Sequence, residues 1–500
     1  MSQVRKQSIV STIFVYGGFL IGFFSTYLFT RQGSVFTPSE YGLTNIFMAV
    51  GNIMFAIANL GMLAVGYKFY PYYNDNLPKK KNDLLTLTLL ISILGFCCVI
   101  LAGIVFKNLV IRKFGNSPEF LKYYFWVFPF GFSLLIFSML EVFAWNIRKS
   151  IFTTFLRELF FRLLTLFLIF LLSFKLISSF DVFIKMYAFS YGIVALVLLV
   201  YLIWKKEFYI TFTVSRVTKK FYKKMISMAS LVYVGSTIYT IAAFIDIIII
   251  MSLWGTDAVG IFSLGFVVSG LVQAPQRGAV AASIPVLSKA WKDKDYEKIN
   301  LMYQRSGINL LIASLGIFLL VWLNYGDAVH TFKLKPAYLQ SQWIFLFLGL
   351  ARVVDLGTGV NSQIIGTSTF WRFEFISGMV LLALSVPLNY LLVKHYGIIG
   401  AGYSTLISYS VYNTIRIIFL QRKFNMHPFS MKTIWAIIFA VLSYIICYYA
   451  FQSLHGLWAM VLRSIVFIAL YGGSIIYFDL TPDVLPVLGN LKKRIYRNRD

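Results

Sequence analysis

The sequence predicts an all-α polytopic membrane protein, and three observations carry that class. Mean hydropathy is +0.77, with 59% hydrophobic and only 13% charged residues over 500 positions. Apolar runs follow one another along the whole chain, each close to the ~20 residues a helix needs to cross the hydrocarbon. The basic residues gather in short connections between these runs. A membrane β-barrel is excluded because its spans would be short and strictly alternating.

About fourteen runs meet the length criterion. They fall at 9–29, 41–66, 84–106, 121–144, 159–177, 183–204, 226–254, 257–287, 306–325, 338–365, 373–393, 398–420, 432–452 and 457–478. The first lacks a small-residue cleavage site and reads as a membrane helix rather than a signal peptide. An even number of spans puts both termini on one side. With the termini cytoplasmic, roughly 32 of the 45 basic residues lie inside and about 10 outside. That asymmetry sets the orientation: Lys79, Lys80 and Lys81, the 205–224 and 289–305 segments and the Lys492-Lys493-Arg494 tail are cytoplasmic. The outer connection holding Lys107, Arg112 and Lys113 is the exception.

The net charge of +26 would point to nucleic acid in a soluble protein. Here topology accounts for it, and no nucleic-acid partner is expected. Cys97, Cys98 and Cys447 lie within apolar runs, and His330, His395, His427 and His455 have no ligand spacing. Neither a disulfide framework, a metal nor a cofactor follows from them. No nucleotide loop or catalytic constellation is present, so an enzyme is not expected.

The 205–224 connection divides the chain after the sixth span. The segments 40–50 and 258–268 look alike: each has a Gly-aliphatic step, Gly42 and Gly260, followed by Phe47 and Phe266 with a one-residue slip. Such an internal repeat is a transporter signature, although chance similarity between apolar segments competes with it. The expected division is residues 1–206 as a six-helix bundle, 207–225 as a basic linker and 226–424 as a second bundle. Residues 425–500 then hold two further helices and a basic tail.

Charges inside a membrane cost about 2.5–3.5 kcal/mol on insertion scales, so their positions are informative. Arg277 lies well inside the eighth span, between Pro275 and Pro285. A bent helix there would present a cation to a cavity; a structural pair or a snorkelling side chain is the plainer alternative. Asn45, Asn52 and Asn59 repeat every seven residues and share one helical face. The repeat offset sets Asn59 opposite Arg277. Sugar contacts and helix–helix hydrogen bonds explain such a stripe equally well. Asp246, Glu141 and Asp355 are candidate proton or sodium sites, since a desolvated carboxylate titrates nearer neutrality. Arg352 and Arg416 are further basic candidates for the substrate. Arg352 is also placed to pair with Asp355 at i, i+3, and Arg416 to anchor at the interface, as is Arg162.

Two stretches carry a resemblance. PLNYLLVKHYGIIGAGYST (387–405), through Pro387, Asn389, Gly397, Ile398, Gly400, Ala401 and Thr405, resembles the helix 11–12 junction of the polysaccharide transporter family. These are Wzx-type flippases of the multidrug/oligosaccharidyl-lipid/polysaccharide exporter superfamily. Pro285, Leu287 and Ser288 resemble the end of that superfamily's helix 8, and Glu40, Tyr41 and Gly42 its approach to helix 2.

The resemblance implies two six-helix bundles in a V around a central cavity lined by helices 1, 2, 7 and 8. It implies transfer of polyprenyl-diphosphate-linked oligosaccharide (an O-antigen or capsular repeat unit) from the inner to the outer leaflet by alternating access. The implied setting is a bacterial cytoplasmic membrane. The partners are the lipid bilayer, the lipid-linked substrate, and a glycan polymerase and glycosyltransferases; a monomer is expected. Arg277 would hold the diphosphate, with Asn45, Asn52 and Asn59 on sugar hydroxyls. The lipid II branch carries an arginine before the first proline of helix 8, where Gly270 and Leu271 stand here. That departure argues against lipid II. In the same branch helices 13 and 14 form a groove for the lipid tail. The rival readings are a cation-coupled multidrug antiporter and a polytopic glycan polymerase or ligase; acidic cavity residues would favour the first and a large outer loop the second.

Overall fold

A computed structural model of the chain describes residues 3–481 and 483; the Lys492-Lys493-Arg494 tail lies outside the described residues. Helices make up nearly all of what is described, with no β-sheet among those residues. All fourteen expected stretches are helical. Among the described residues, eleven helical stretches are long and apolar enough to cross a membrane, and one of them, Arg216–Val272, is two helices joined at Gly255.

Two compact units divide at Gly260 and Ile261. The first contains α1 (Gln3–Thr30), α2 (Pro38–Ala58), α3 (Met62–Asn76), α4 (Leu84–Val105), α5 (Lys107–Lys113), α6 (Pro118–Lys122), α7 (Val127–Asn146) and α8 (Ser150–Thr154). It continues through a π-helical turn, Phe155–Phe160, into α9 (Phe161–Ser173), α10 (Phe180–Ala188), α11 (Ser190–Trp204) and the first part of α12 (Arg216–Val272). The second holds the rest of α12, α13 (Ala274–Lys292), α14 (Tyr296–Thr331), α15 (Ser341–Gly357), α16 (Asn361–Thr367), α17 (Trp371–Tyr396), α18 (Ile399–Phe424), α19 (Met431–Ala450) and α20 (Leu457–Tyr477).

Several spans expected to be continuous are broken, three of them at turns that matter for packing. The second, 41–66, begins on a capping box in which Thr37 and Glu40 satisfy each other's backbone N–H, with Pro38 in the first turn. It stops at Asn59, and Gly61 takes a left-handed φ of 76°. A Cβ on Gly61 would lie 2.3 Å from the Ala229 carbonyl oxygen, so the backbones of α3 and α12 meet there. The eighth, 257–287, breaks at Gln273, and Pro275 falls in the first turn of α13, where its missing N–H leaves no bond unmade. The tenth, 338–365, breaks at Gly359, which has φ 66°. Hydropathy averages over these turns and does not register them.

Inside the first unit, Gly42 and Gly260, the paired glycines of the sequence repeat, pack against each other's helices. A Cβ on Gly42 would lie 2.1 Å from the Thr256 carbonyl oxygen, and one on Gly260 2.0 Å from that of Pro38. Beside them Ser39 and Thr256 share a hydroxyl contact, and Thr256 donates to Glu119 at 2.8 Å. The core is aromatic: Phe130 lies against Tyr187 and Tyr191, both at 5.4 Å between ring centres. In the second unit Phe318 stacks on Phe345 at 5.6 Å. Buried Arg463 of α20 binds Asp327 of α14 at 2.9 Å and the Leu454 carbonyl at 2.9 Å. The outward faces are apolar: α4 exposes Leu94 and Leu101, α11 exposes Leu196 and Val200, α19 exposes Ile445 and Ile446, and α20 exposes Ile465 and Ile468. Apolar patches on this scale suit lipid, not water.

Candidate substrate and ion-coupling sites

In the first unit the asparagine stripe of α2 is turned largely onto its own helix. Asn45 donates to the Tyr41 carbonyl at 2.9 Å and Asn52 to that of Met48 at 2.7 Å; both remain half-buried. Asn59 departs from the expectation. It is 3% exposed, donates to the Ala56 carbonyl at 2.7 Å and accepts from the Gly61 N–H at 2.9 Å. It terminates the helix, and its amide is consumed doing so.

Glu141 of α7 is buried and pairs with Arg157 at 2.5 Å. Arg157 sits in the π-helical turn, a distortion that commonly marks functional segments. Its guanidinium also lies 5.5 Å from the centre of the Phe137 ring. Sequence reasoning missed Arg157, because it lies between the fourth and fifth runs among residues assigned to a connection. Arg162, expected as an interfacial anchor, is instead engaged internally: it donates to the Gly18 carbonyl at 2.5 Å and lies 3.5 Å from Glu158. Asp246 is half-buried in the middle of α12.

In the second unit Arg277 is exposed, in the first turn of α13 rather than deep in a continuous helix. The neighbouring Gln276 amide donates to Asp355 at 3.4 Å. Asp355 also accepts from Asn413 of α18 at 3.1 Å. These contacts turn the Asp355 carboxylate away from the expected partner: no Arg352–Asp355 ion pair forms among the described residues, and the Arg352 guanidinium lies over the Tyr409 ring at 5.6 Å. Spacing on one helix allowed that pair, and cross-helix partners displaced it.

Arg416 is the largest correction. It is 2% exposed, not at an interface. It pairs with Glu374 of α17, donates to Asn361 at 3.3 Å and Ser377 at 3.4 Å, and stacks on Tyr412 at 3.7 Å. Ser362 donates to the same Glu374 carboxylate at 2.7 Å, and Thr358, Asn361 and Asn413 continue the network. All three guanidinium nitrogens of Arg416 donate to protein groups, so in this arrangement it serves as a structural cation. Glu374 and Asn361 come from helices other than that of Arg416, so no local spacing announces them. An apolar groove of 490 Å³ lies between α12, α14 and α20, walled by Leu264, Val268, Leu320, Met460 and Ile465.

These units define a multi-pass helical membrane protein with buried ion pairs in each unit. Residues 232–391 match the MatE family. The fold is similar to that of solved transporters, among them members of the multidrug/oligosaccharidyl-lipid/polysaccharide exporter (MOP) superfamily. It is similar to a lipid II flippase, MurJ, in an inward closed conformation: TM-score 0.71, 16% identity, covering 94% of this chain and 99% of that one. It is similar also to a multidrug resistance MATE family transporter in inward-facing form (TM-score 0.61, 14% identity, 83% and 98% covered) and to one in outward-facing form (0.56, 12%, 84% and 96%). A search of curated proteins gives no match.

Proposed function

We propose that the chain is a flippase for polyprenyl-diphosphate-linked oligosaccharide, working from a bacterial cytoplasmic membrane with both termini inside. The observation that carries this reading is Arg277 in the first turn of a half-helix that starts afresh at Ala274. Half-helix N-termini carry partial positive charge and face anionic substrate groups in transporters. A guanidinium beside one adds charge-assisted, bidentate bonds to phosphate oxygens. Half-buried Asn45 and Asn52, and Arg352, offer replaceable polar contacts to the glycan. The groove along α20 suits a prenyl chain. Moving an anion outward is favoured by about 2.3 kcal/mol per charge per 100 mV with the interior negative. Asp246, Glu141 and Asp355 are the proposed coupling carboxylates, with the Glu141–Arg157 pair as a contact that protonation or a cation would open.

Arg277→Ala is expected to lower surface glycan by about tenfold or more, the worth of one charge-assisted contact, while the protein stays inserted and lipid-linked precursor accumulates. Unchanged glycan and precursor would exclude the phosphate role. Asp246→Asn is expected to alter the pH or sodium dependence of transport in vesicles; an unaltered dependence would remove Asp246 from coupling.

The second reading is a cation-coupled multidrug antiporter, favoured by the MatE match over 232–391. Proton- or sodium-driven efflux of an organic cation, abolished by Glu141→Gln and indifferent to Arg277→Ala, would select it over the flippase.

A further inference from the structure

A basic, aromatic-lined pocket lies in the first unit. A pocket of 610 Å³ opens between α3 and the start of α12, and Lys68, Lys223 and Lys224 are among the residues that line it. None of the three lysines pairs with a carboxylate among the described residues. Phe69, Tyr72 and Phe221 line it as well and pack together, with ring centres 5.1–6.1 Å apart.

The walls are fixed by a buried relay. Tyr73 and Thr218 share a hydrogen bond at 2.6 Å, and Thr218 donates to Asp83 at 2.7 Å. Burial pushes the Tyr73 hydroxyl up to about 12, so it stays protonated. Along one face of α12, Lys224, Met228 and Val232 succeed one another at four-residue steps, and all three border the pocket. At 1.5 Å per residue the apolar end lies about 12 Å from the ammonium end. A lysine-lined end that passes into aromatic and aliphatic lining has the polarity profile of one lipid molecule, phosphate first and chain behind. Basic pockets beside transmembrane helices on the cytoplasmic side recognise phosphate headgroups in this way.

We infer that Lys68, Lys223 and Lys224 bind the phosphate headgroup of a membrane lipid whose chain runs past Met228 and Val232. The cytoplasmic placement of this pocket rests on the topology proposed above; the binding itself does not.

The test uses the full chain, purified in neutral detergent, and titrates farnesyl diphosphate, phosphatidylglycerol, phosphatidylcholine and inorganic pyrophosphate. Each is run in an Arg277→Ala background so that the other proposed anion site does not contribute. The two lipids that carry net negative charge are expected to bind saturably, with phosphatidylcholine and pyrophosphate each at least tenfold weaker. K223Q/K224Q should weaken the anionic lipids at least tenfold, and K223R/K224R should restore them. Val232→Trp should weaken the lipids and leave pyrophosphate unaffected. Tighter binding of farnesyl diphosphate would identify the headgroup as a carrier diphosphate, and tighter phosphatidylglycerol a bulk phospholipid; either supports the pocket. Binding that vanishes with Arg277→Ala alone, or that survives K223Q/K224Q intact, overturns it, the first outcome leaving the flippase reading standing.

Discussion

Arg416→Met should unfold at a markedly lower temperature than the wild-type chain in the same detergent. The substitution leaves Glu374 among α15–α18 without its cation, and with it the Asn361 and Ser377 contacts lose their donor. Breaking a buried ion pair by removing one partner costs about 3–5 kcal/mol, because the remaining charge stays desolvated. The Glu374 side chain keeps 25% of its exposure, which places the expected loss toward the lower end. The stacking on Tyr412 goes too, but methionine retains apolar contact with the ring. Glu374→Gln together with Arg416→Met should recover part of the loss, since no uncompensated charge then remains. Intrinsic tryptophan fluorescence during thermal unfolding reads both effects. A single variant as stable as wild type would show that Arg416 is not the structural cation assigned here.

Gly260→Ala and Gly42→Ala form the second expectation. In each case the new methyl meets a backbone carbonyl at 2.0–2.1 Å, and no flexible side chain is available to move aside. The helices must separate, and overpacking of this kind costs about 1–3 kcal/mol. Both substitutions open the same interface, so the double variant should lose less than the sum of the two. Additive losses, measured by the same unfolding experiment, would mean that the two glycines do not share a contact. Gly270→Ala is the control, because a Cβ there meets nothing within 4 Å.

The glycine pair shows how much the sequence disclosed. Gly42 and Gly260 were legible as counterparts from local similarity, yet nothing in either segment said that they touch. The asparagine stripe was legible in the same partial way. Its seven-residue period put Asn45, Asn52 and Asn59 on one helical face, but the period assumed an unbroken helix, and Gly61 ends that helix two residues after Asn59. Glu141 stood out as a carboxylate in an apolar run, while its partner Arg157 was hidden in what read as a connection.

By itself the sequence determined the membrane class and the positions of the helical runs, because burial in lipid imposes a minimum apolar length on each span regardless of what surrounds it. It also singled out the intramembrane charges, since their insertion cost makes them rare. Which charge meets which was decided only by the tertiary structure. Arg416 could have snorkelled, and Arg352 could have met Asp355, on local geometry alone. Packing brought Glu374 from another helix to the first and turned Asp355 toward Asn413 and Gln276. Pair formation in a low-dielectric interior depends on distances of a few ångströms between helices distant in sequence, and no periodicity along one helix encodes them.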